Sequence, residues 1–259
     1  MPCKSTIIQA MQFNRLTSPS SNIVDLFPIK RSYLIMKRLM DISISLVVVL
    51  VLYPLLFPII IVLIKLDSKG PIFFTQKRTG YLGKEFVCYK FRTMRVNDLA
   101  DIQGAIHGDP RITRIGKFLR KAHFDEIPQF INVLAGDMSI VGPRPHMLRE
   151  AAGFSATISN YFFRTLARPG ITGLAQIIGC RGQVTCFEDI YVRYYWDAYY
   201  VRNPSIRLDL RIMAKTAILM IKGLSGTEDT PVAVTRDSLA SLQSHTISSP
   251  YEVRLANGK

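Results

Sequence analysis

Acidic residues are scarce in this chain: 19 Asp and Glu face 33 Lys and Arg across 259 residues, a formal net charge of +14. Such a balance calls for an anionic partner, whether nucleic acid, an acidic membrane leaflet or a phosphorylated substrate. Cysteine is also sparse. Cys3, Cys88, Cys180 and Cys186 form no C-x-x-C pair, and the four histidines show no ligand-like spacing with them. A disulfide framework and a structural zinc site are thereby set aside, and the cysteines read as reduced thiols in a cytoplasmic compartment. The first 22 residues lack the continuous apolar stretch and small-residue cleavage site of a secretory signal. No internal repeat and no recognised nucleic-acid-binding motif occurs.

Apolar residues, by contrast, are plentiful, at 48% of the chain. In so basic a protein this favours membrane plus phosphate over nucleic acid. Ile42 to Ile64 is a run of 23 residues without a charge. As a helix it would extend ~35 Å at ~1.5 Å per residue, enough for ~30 Å of hydrocarbon. Pro54 and Pro58 interrupt it. Each removes an N–H and crowds the carbonyl four residues back, at ~3 kcal/mol in an unrelieved helix, so a sharp bend is expected. Both flanks are basic, with Lys30, Arg31, Lys37 and Arg38 before the run and Lys65, Lys69, Lys77 and Arg78 after it. Lys and Arg favour the cytoplasmic side. A helix that enters, breaks at the prolines and leaves by the same face satisfies both ends, and it is preferred to a kinked full span.

The remainder reads as an α+β chain. Residues 1–32 form a flexible tail, 33–223 a membrane helix (42–64) with one catalytic-sized domain, and 224–259 a disordered Ser/Thr-rich tail. "GPIFFTQKRTGYLGKEFVCYKFRTM" alternates around a glycine turn, a β-hairpin signal, with the G-x-x-G from Gly80 to Gly83 as the turn. Residues 97–110 read as a polar loop. From Arg111, Ile112, Ile115, Phe118, Leu119 and Ala122 recur at helical spacing, with Arg111, Arg114, Lys117 and Lys121 on the opposite face. A helix from Asp125 to Ala135, stopped by Gly136, follows. "SIVGPRP" is extended, and "ARPGITGLAQIIG" is a strand or loop. Two more helices are expected over "FEDIYVRYYWDAYYVRN" and "SIRLDLRIMAKTAILMIKG", the second suited to lying on a membrane surface.

Two of the few acids, Asp125 and Glu126, stand side by side after this basic segment. They could cap and charge the start of a helix, worth ~1–2 kcal/mol. They could equally be a reactive centre. A helix N-terminus attracts anions, the basic face with Arg111, Arg114 and Lys121 leads into it, and Arg144 lies between Pro143 and Pro145, which fix the backbone on either side. Arginine so held suits bidentate phosphate binding. A positive field would keep Asp125 ionised, as a nucleophile must be. Two carboxylates facing an anionic substrate would need a divalent cation, most simply Mg²⁺ held by Asp125, Glu126 and phosphate oxygens.

The segments "KFRTM", "DPRITRIGKFLRKAHFDEIPQFINVLAGDMSIVGPRP" and "RPGITGLAQ" make the chain resemble the bacterial sugar transferase family, the monotopic polyprenyl-phosphate phosphoglycosyl transferases. The resemblance runs from about Lys37 to Gly223. It implies a re-entrant membrane helix and a mainly helical catalytic domain at the cytoplasmic face of the bacterial inner membrane. The implied reaction moves a sugar 1-phosphate from a UDP-sugar onto undecaprenyl phosphate and releases UMP, priming exopolysaccharide, capsule or O-antigen synthesis. Asp125 would be the nucleophile, and Glu126 would hold Mg²⁺ or deprotonate the acceptor. Lys90, Arg92, Arg111, Arg120 and Arg144 become candidate phosphate contacts, and Asp197 matches an acid the family often needs. Membrane lipids, downstream glycosyltransferases and a homodimer are the further partners the resemblance suggests; nucleic acid is not among them. Glucose or galactose is the sugar expected from family habit.

The chain departs from the family pattern in places. Tyr53-Pro54 replaces the usual Ser-Pro at the helix break, His123 replaces a small residue before the acid pair and reads as a packed or surface histidine, and Cys180 is atypical. Two other functions compete. Direct glycosyl transfer from a nucleotide-sugar is weakened by the absence of any D-x-D. A non-enzymatic basic membrane adaptor explains the charge but not the joint presence of Asp125-Glu126, Pro-Arg-Pro and Asp197.

Overall fold

The computed structural model describes residues 29–97, 104–106, 108–158, 160–180 and 187–225. Most of the N-terminal tail, nearly all of the C-terminal tail, part of the 97–110 loop, Cys3 and Cys186 lie outside the described residues. Helix α1 (Arg31–Val47) runs into a π-helical stretch, Val48–Leu52, and then into α2 (Tyr53–Asp67). Together they form a continuous apolar helix of 37 residues, long enough to cross a membrane. The π stretch has a cause in sequence. Pro54 cannot bond to the carbonyl of Leu50, and the Tyr53 N–H reaches back five residues to Val48 instead of four. The widened turn takes up the proline without ending the helix.

This helix is not a buried core helix. Leu46, Val47, Leu50, Leu55, Ile59, Val62 and Leu66 are all exposed. So large a contiguous apolar surface marks membrane association. Its inner face is tied to the domain along both halves. In α1, Lys37 Nζ and the Tyr33 hydroxyl each lie 3.1 Å from Asp209, and Arg38 donates to the carbonyls of Val133 and Leu134 at 2.7 and 3.0 Å. Asp41 accepts from the Ser139 hydroxyl and the Ile140 N–H, both at 3.0 Å. In α2, Ile60 and Ile64 are buried against Phe91 and Leu119, each worth ~1.5–3 kcal/mol of apolar burial. The Tyr53 hydroxyl leaves its own helix and donates to the Ile127 carbonyl at 3.0 Å. That carbonyl also accepts the Phe130 N–H, so Tyr53→Phe is expected to lower stability by only about 1 kcal/mol. Thermal unfolding in detergent would show this; an unchanged midpoint would mean that the hydroxyl contributes nothing there.

Strands β1 (Phe73–Thr79) and β2 (Glu85–Phe91) form the expected antiparallel hairpin, with Phe74 opposite Lys90, Gln76 opposite Cys88 and Arg78 opposite Phe86. These three pairs share the inward face. Helix α3 (Arg114–Lys121) starts three residues later than its apolar spacing predicts, because Thr113 is extended and its side chain caps the Gly116 N–H. After α4 (Gln129–Ala135), Gly136 ends the helix at φ 93°, as its sequence position predicts. The short β3 (Ser139–Val141) leads into the Pro-Arg-Pro loop. Helix α5 (Leu148–Thr157) and a 3₁₀ segment (Tyr161–Leu166) then lead to β4 (Gly170–Thr172), which pairs with β3 in parallel. Here glycine is required: a Cβ on Gly170 would lie 2.1 Å from the Gly142 nitrogen. A single turn, α6 (Leu174–Ile177), and two long helices, α7 (Phe187–Arg202) and α8 (Ile206–Ser225), complete the described fold.

The main core joins the two sheets and the last helices: Phe86, Cys88, Val133, Met138, Ile140, Val141, Leu174, Ile177, Tyr200 and Ile212. In α8, Asp209 and Ile212 point into it, while Leu210, Ile218 and Ile221 are exposed beside Arg207, Arg211 and Lys215. An outward face both apolar and basic has the composition of a helix lying on a membrane surface.

Candidate active site

Asp125 and Glu126 sit in a 3₁₀ turn, Phe124–Glu126, entered through His123 in the left-handed conformation at φ 56°. Neither caps a helix. The turn has no side-chain cap, and α4 begins only after Pro128, again with none. The helix-cap reading of Asp125 is therefore incorrect: the 3₁₀ turn moves the pair one turn ahead of the α-helix and leaves both carboxylates to face other elements. His123 itself is half-buried.

Those elements are β2 and the Pro-Arg-Pro loop. Lys90, on the inward face of β2, puts Nζ 2.5 Å from Glu126 Oε1. Arg144 Nη2 lies 2.6 Å from the same oxygen, and its Nη1 lies 3.4 Å from Oε2. Burial alone would raise the Glu126 carboxyl, but Arg144 and Lys90 outweigh it and hold the group well below the usual range. Arg144 in turn is pushed upward, first by Glu126. Asp125 is different. It is buried, and its carboxylate accepts no hydrogen bond among the described residues. Burial pushes it up to about 6, and the Glu126 charge adds to this against the pull of Lys90, Arg120 and Arg144. The positive field expected to keep it fully ionised is thus partly spent on its neighbour.

Other sequence candidates separate into two groups. Arg120 joins the site: its Nε donates to the Thr93 hydroxyl at 2.8 Å, and its strongest attraction is to Asp125. It is Arg120, rather than Arg114 or Lys121, that α3 turns toward the pair; Arg114, Lys117 and Lys121 are exposed. Arg111 is bound instead by Asp109, with Nη2–Oδ2 at 2.7 Å and Nε–Oδ1 at 3.0 Å. Arg92 donates to the carbonyls of Ser68, at 2.7 Å, and Lys69, just beyond α2. Asp197 is buried and accepts two hydrogen bonds from Arg164, at 2.9 and 2.6 Å. Arg164 was not singled out from the sequence, and neither was Arg78 as part of the site. For Arg78 a signal existed, since a charged residue at an inward strand position needs a partner.

A buried carboxylate pair under a cluster of Lys and Arg, on a domain tied to an exposed apolar helix, defines a membrane-associated α+β protein with an anion-facing site. Residues 32–223 match the bacterial sugar transferase family, and the chain belongs to it. The chain is 46% identical over 191 residues to an exopolysaccharide production protein, PSS, of Rhizobium leguminosarum bv. phaseoli, covering 71% of this chain and 94% of that one. It is 43% identical over 213 residues to a UDP-glucose:undecaprenyl-phosphate glucose-1-phosphate transferase of Klebsiella pneumoniae, covering 79% and 45%. It is 41% identical over 192 residues to a UDP-N-acetylgalactosamine-undecaprenyl-phosphate N-acetylgalactosaminephosphotransferase of Aeromonas hydrophila, covering 74% and 45%. The chain thus spans less than half the length of these last two relatives.

Proposed function

We propose that the protein transfers a sugar 1-phosphate from a UDP-sugar to undecaprenyl phosphate and releases UMP, as a priming step in exopolysaccharide, capsule or O-antigen synthesis. The observation that carries this is the contrast within the acid pair: Glu126 is held by Lys90 and Arg144, while the Asp125 carboxylate keeps its oxygens free of hydrogen bonds among the described residues. An Asp125 oxygen attacks the sugar-linked phosphorus, and the bond from that phosphorus to the oxygen of UMP breaks, UMP leaving with the electron pair. The aspartyl-phosphosugar so formed is then attacked by an oxygen of undecaprenyl phosphate, and the Asp125 carboxylate departs unchanged. Lys90 and Arg144, beside the reacting phosphate, favour the charge that gathers on its oxygens. Arg120 supplies a third cation next to Asp125.

The pair also fits Mg²⁺. That ion takes one or two carboxylates and completes its shell with water and substrate phosphate. Among the described residues no group of three or more His, Cys, Asp or Glu is placed to hold a metal by itself, so substrate oxygens would have to share it. Asp125 offers free oxygens, whereas in Glu126 Oε1 is taken by Lys90 and Arg144 and only Oε2, 3.4 Å from Arg144, would be left for the ion. Held there, Mg²⁺ would supply positive charge to the diphosphate oxygens, lowering the cost of the charge on departing UMP.

Contacts along both halves of the long helix support a re-entrant insertion from the cytoplasmic face of the inner membrane. Its basic start, through Lys37 and Arg38, and its far end, through Asp67, all bond to the same domain. The test is nucleotide release by the nanodisc-held protein with undecaprenyl phosphate, Mg²⁺ and a panel of UDP-sugars led by UDP-glucose and including UDP-galactose and UDP-N-acetylgalactosamine. UMP release with one donor, stopped by EDTA, is expected. UDP release would replace the proposal with direct glycosyl transfer.

A further inference from the structure

The Pro-Arg-Pro loop contributes few N–H donors, because two of its residues are proline, yet its carbonyls are bonded one after another. Pro143 O accepts the Gly170 N–H at 2.9 Å, Arg144 O accepts Arg164 Nη2 at 2.6 Å, Pro145 O accepts Arg78 Nη1 at 2.6 Å, and His146 O accepts the Thr79 N–H at 3.1 Å. Four consecutive carbonyls are thus gripped by donors from β4, the second 3₁₀ segment and β1. The two side-chain donors are arginines held in place themselves, Arg164 buried and Arg78 half-buried. Arg164 is fixed by both bonds to Asp197 and by the Tyr161 ring, 5.5 Å from its guanidinium. Tyr161 also bonds through its hydroxyl to His146 Nδ1. Arg78 is braced by Gln76 Oε1 at 2.9 Å.

From this geometry we infer that Asp197, Arg164 and Arg78 are positioning residues: they hold the 143–146 backbone so that Arg144 reaches Glu126. Asp197 then acts through Arg164 and does not touch the substrate. A guanidinium at the centre of the chain Asp197–Arg164–Arg144–Glu126 has a geometric task that lysine or a neutral group cannot perform, since one fork must meet a carboxylate and a carbonyl together. A small misplacement of a group that orients charge costs up to about 100-fold in rate.

The activity arm of the test rests on the proposed transfer reaction; a second arm does not. In the first, UMP release is measured for Asp197→Asn, for Arg144→Gln and for the two combined. Because Asp197→Asn leaves Arg164 buried without its charge partner, the double replacement Arg164→Met with Asp197→Leu is run alongside; swapping both members of a buried pair for apolar groups preserves folding. The expected result is a loss of roughly 10-fold or more in either background that retains Arg144, and no further loss beyond about twofold once Arg144→Gln is present. Losses that multiply across the two changes would overturn the inference, since a direct substrate contact or general destabilisation would act independently of Arg144. In the second arm, hydrogen exchange is followed across residues 138–150. Arg164→Met with Asp197→Leu is expected to speed exchange in the loop by about tenfold or more while β2 and α4 stay protected. Unchanged loop protection would overturn the inference whether or not the protein proves to be a transferase. Inactive wild-type protein with faster loop exchange in the variant would remove the functional reading and leave the positioning role supported.

Discussion

Asp125→Asn should abolish UMP release, by roughly 1,000-fold or more, and should leave the protein as stable as the parent or slightly more so. The two halves of this expectation have separate causes. Asparagine keeps the shape of the side chain but cannot form the bond to phosphorus. Among the described residues it disrupts no hydrogen bond, because the Asp125 carboxylate accepts none. Burial and the Glu126 charge push the carboxyl up to about 6, so its ionised form at neutral pH is held against a cost. The sign follows from linkage: a folded value above the unfolded one contributes stability in acid and loses it as pH rises through about 6. At pH 7.5 in metal-free buffer the variant escapes that cost. A reactive group kept at the expense of stability is the usual signature of a functional site. Intact-mass analysis after exposure to UDP-sugar without acceptor gives the chemical check. The wild-type protein should gain the mass of one phosphosugar and the variant none. Full activity in Asp125→Asn would remove Asp125 as nucleophile.

The elements with a local signal were legible in the sequence. The hairpin follows from alternation between Phe73 and Phe91, the end of α4 from Gly136, and the long apolar helix from the uncharged run between Ile42 and Ile64. The acid pair and Pro-Arg-Pro were visible too, as unusual local chemistry. What was hidden depends on partners distant in the chain. Nothing near Asp197 names Arg164, 33 residues away, and nothing near Arg144 shows that its carbonyl is held. The parallel pairing of β3 with β4 joins segments about thirty residues apart and leaves no periodic trace in either. Asp109 lies in the segment that reads as a polar loop, yet two residues before an arginine it can bind that arginine's guanidinium, and here it does. The position of Asp125 was misjudged for a subtler reason. An acid followed by proline before an apolar run reads as a helix start, and only the left-handed His123 and the 3₁₀ turn shift that start to Gln129.

Glu126→Gln should also damage activity, though less than the change at Asp125, and should be opposite in its effect on stability. Its carboxylate is the common partner of Lys90, at 2.5 Å, and Arg144, at 2.6 Å, in a site where its own side chain is 11% exposed. Glutamine retains one acceptor oxygen but removes the charge, and its amide hydrogens face two cations. Breaking a buried pair from one side costs about 3–5 kcal/mol. Arg144 keeps 37% of its side chain in solvent, so about 3 kcal/mol, the lower bound, is expected. Removing a preorganised electrostatic contact of this kind lowers kcat by roughly 100- to 1,000-fold. Thermal and denaturant unfolding in detergent would measure the first effect. Adding Lys90→Met to Glu126→Gln should restore part of the lost stability, because one of the two stranded cations is then gone, yet it should restore no activity. If Glu126→Gln unfolds with the wild-type protein, the cluster is hydrated enough that its pairs carry no net stability. If it unfolds early while Asp125→Asn does not, the two adjacent carboxylates are divided as their surroundings suggest: Glu126 binds the cations together, and Asp125 is left exposed to their field to react.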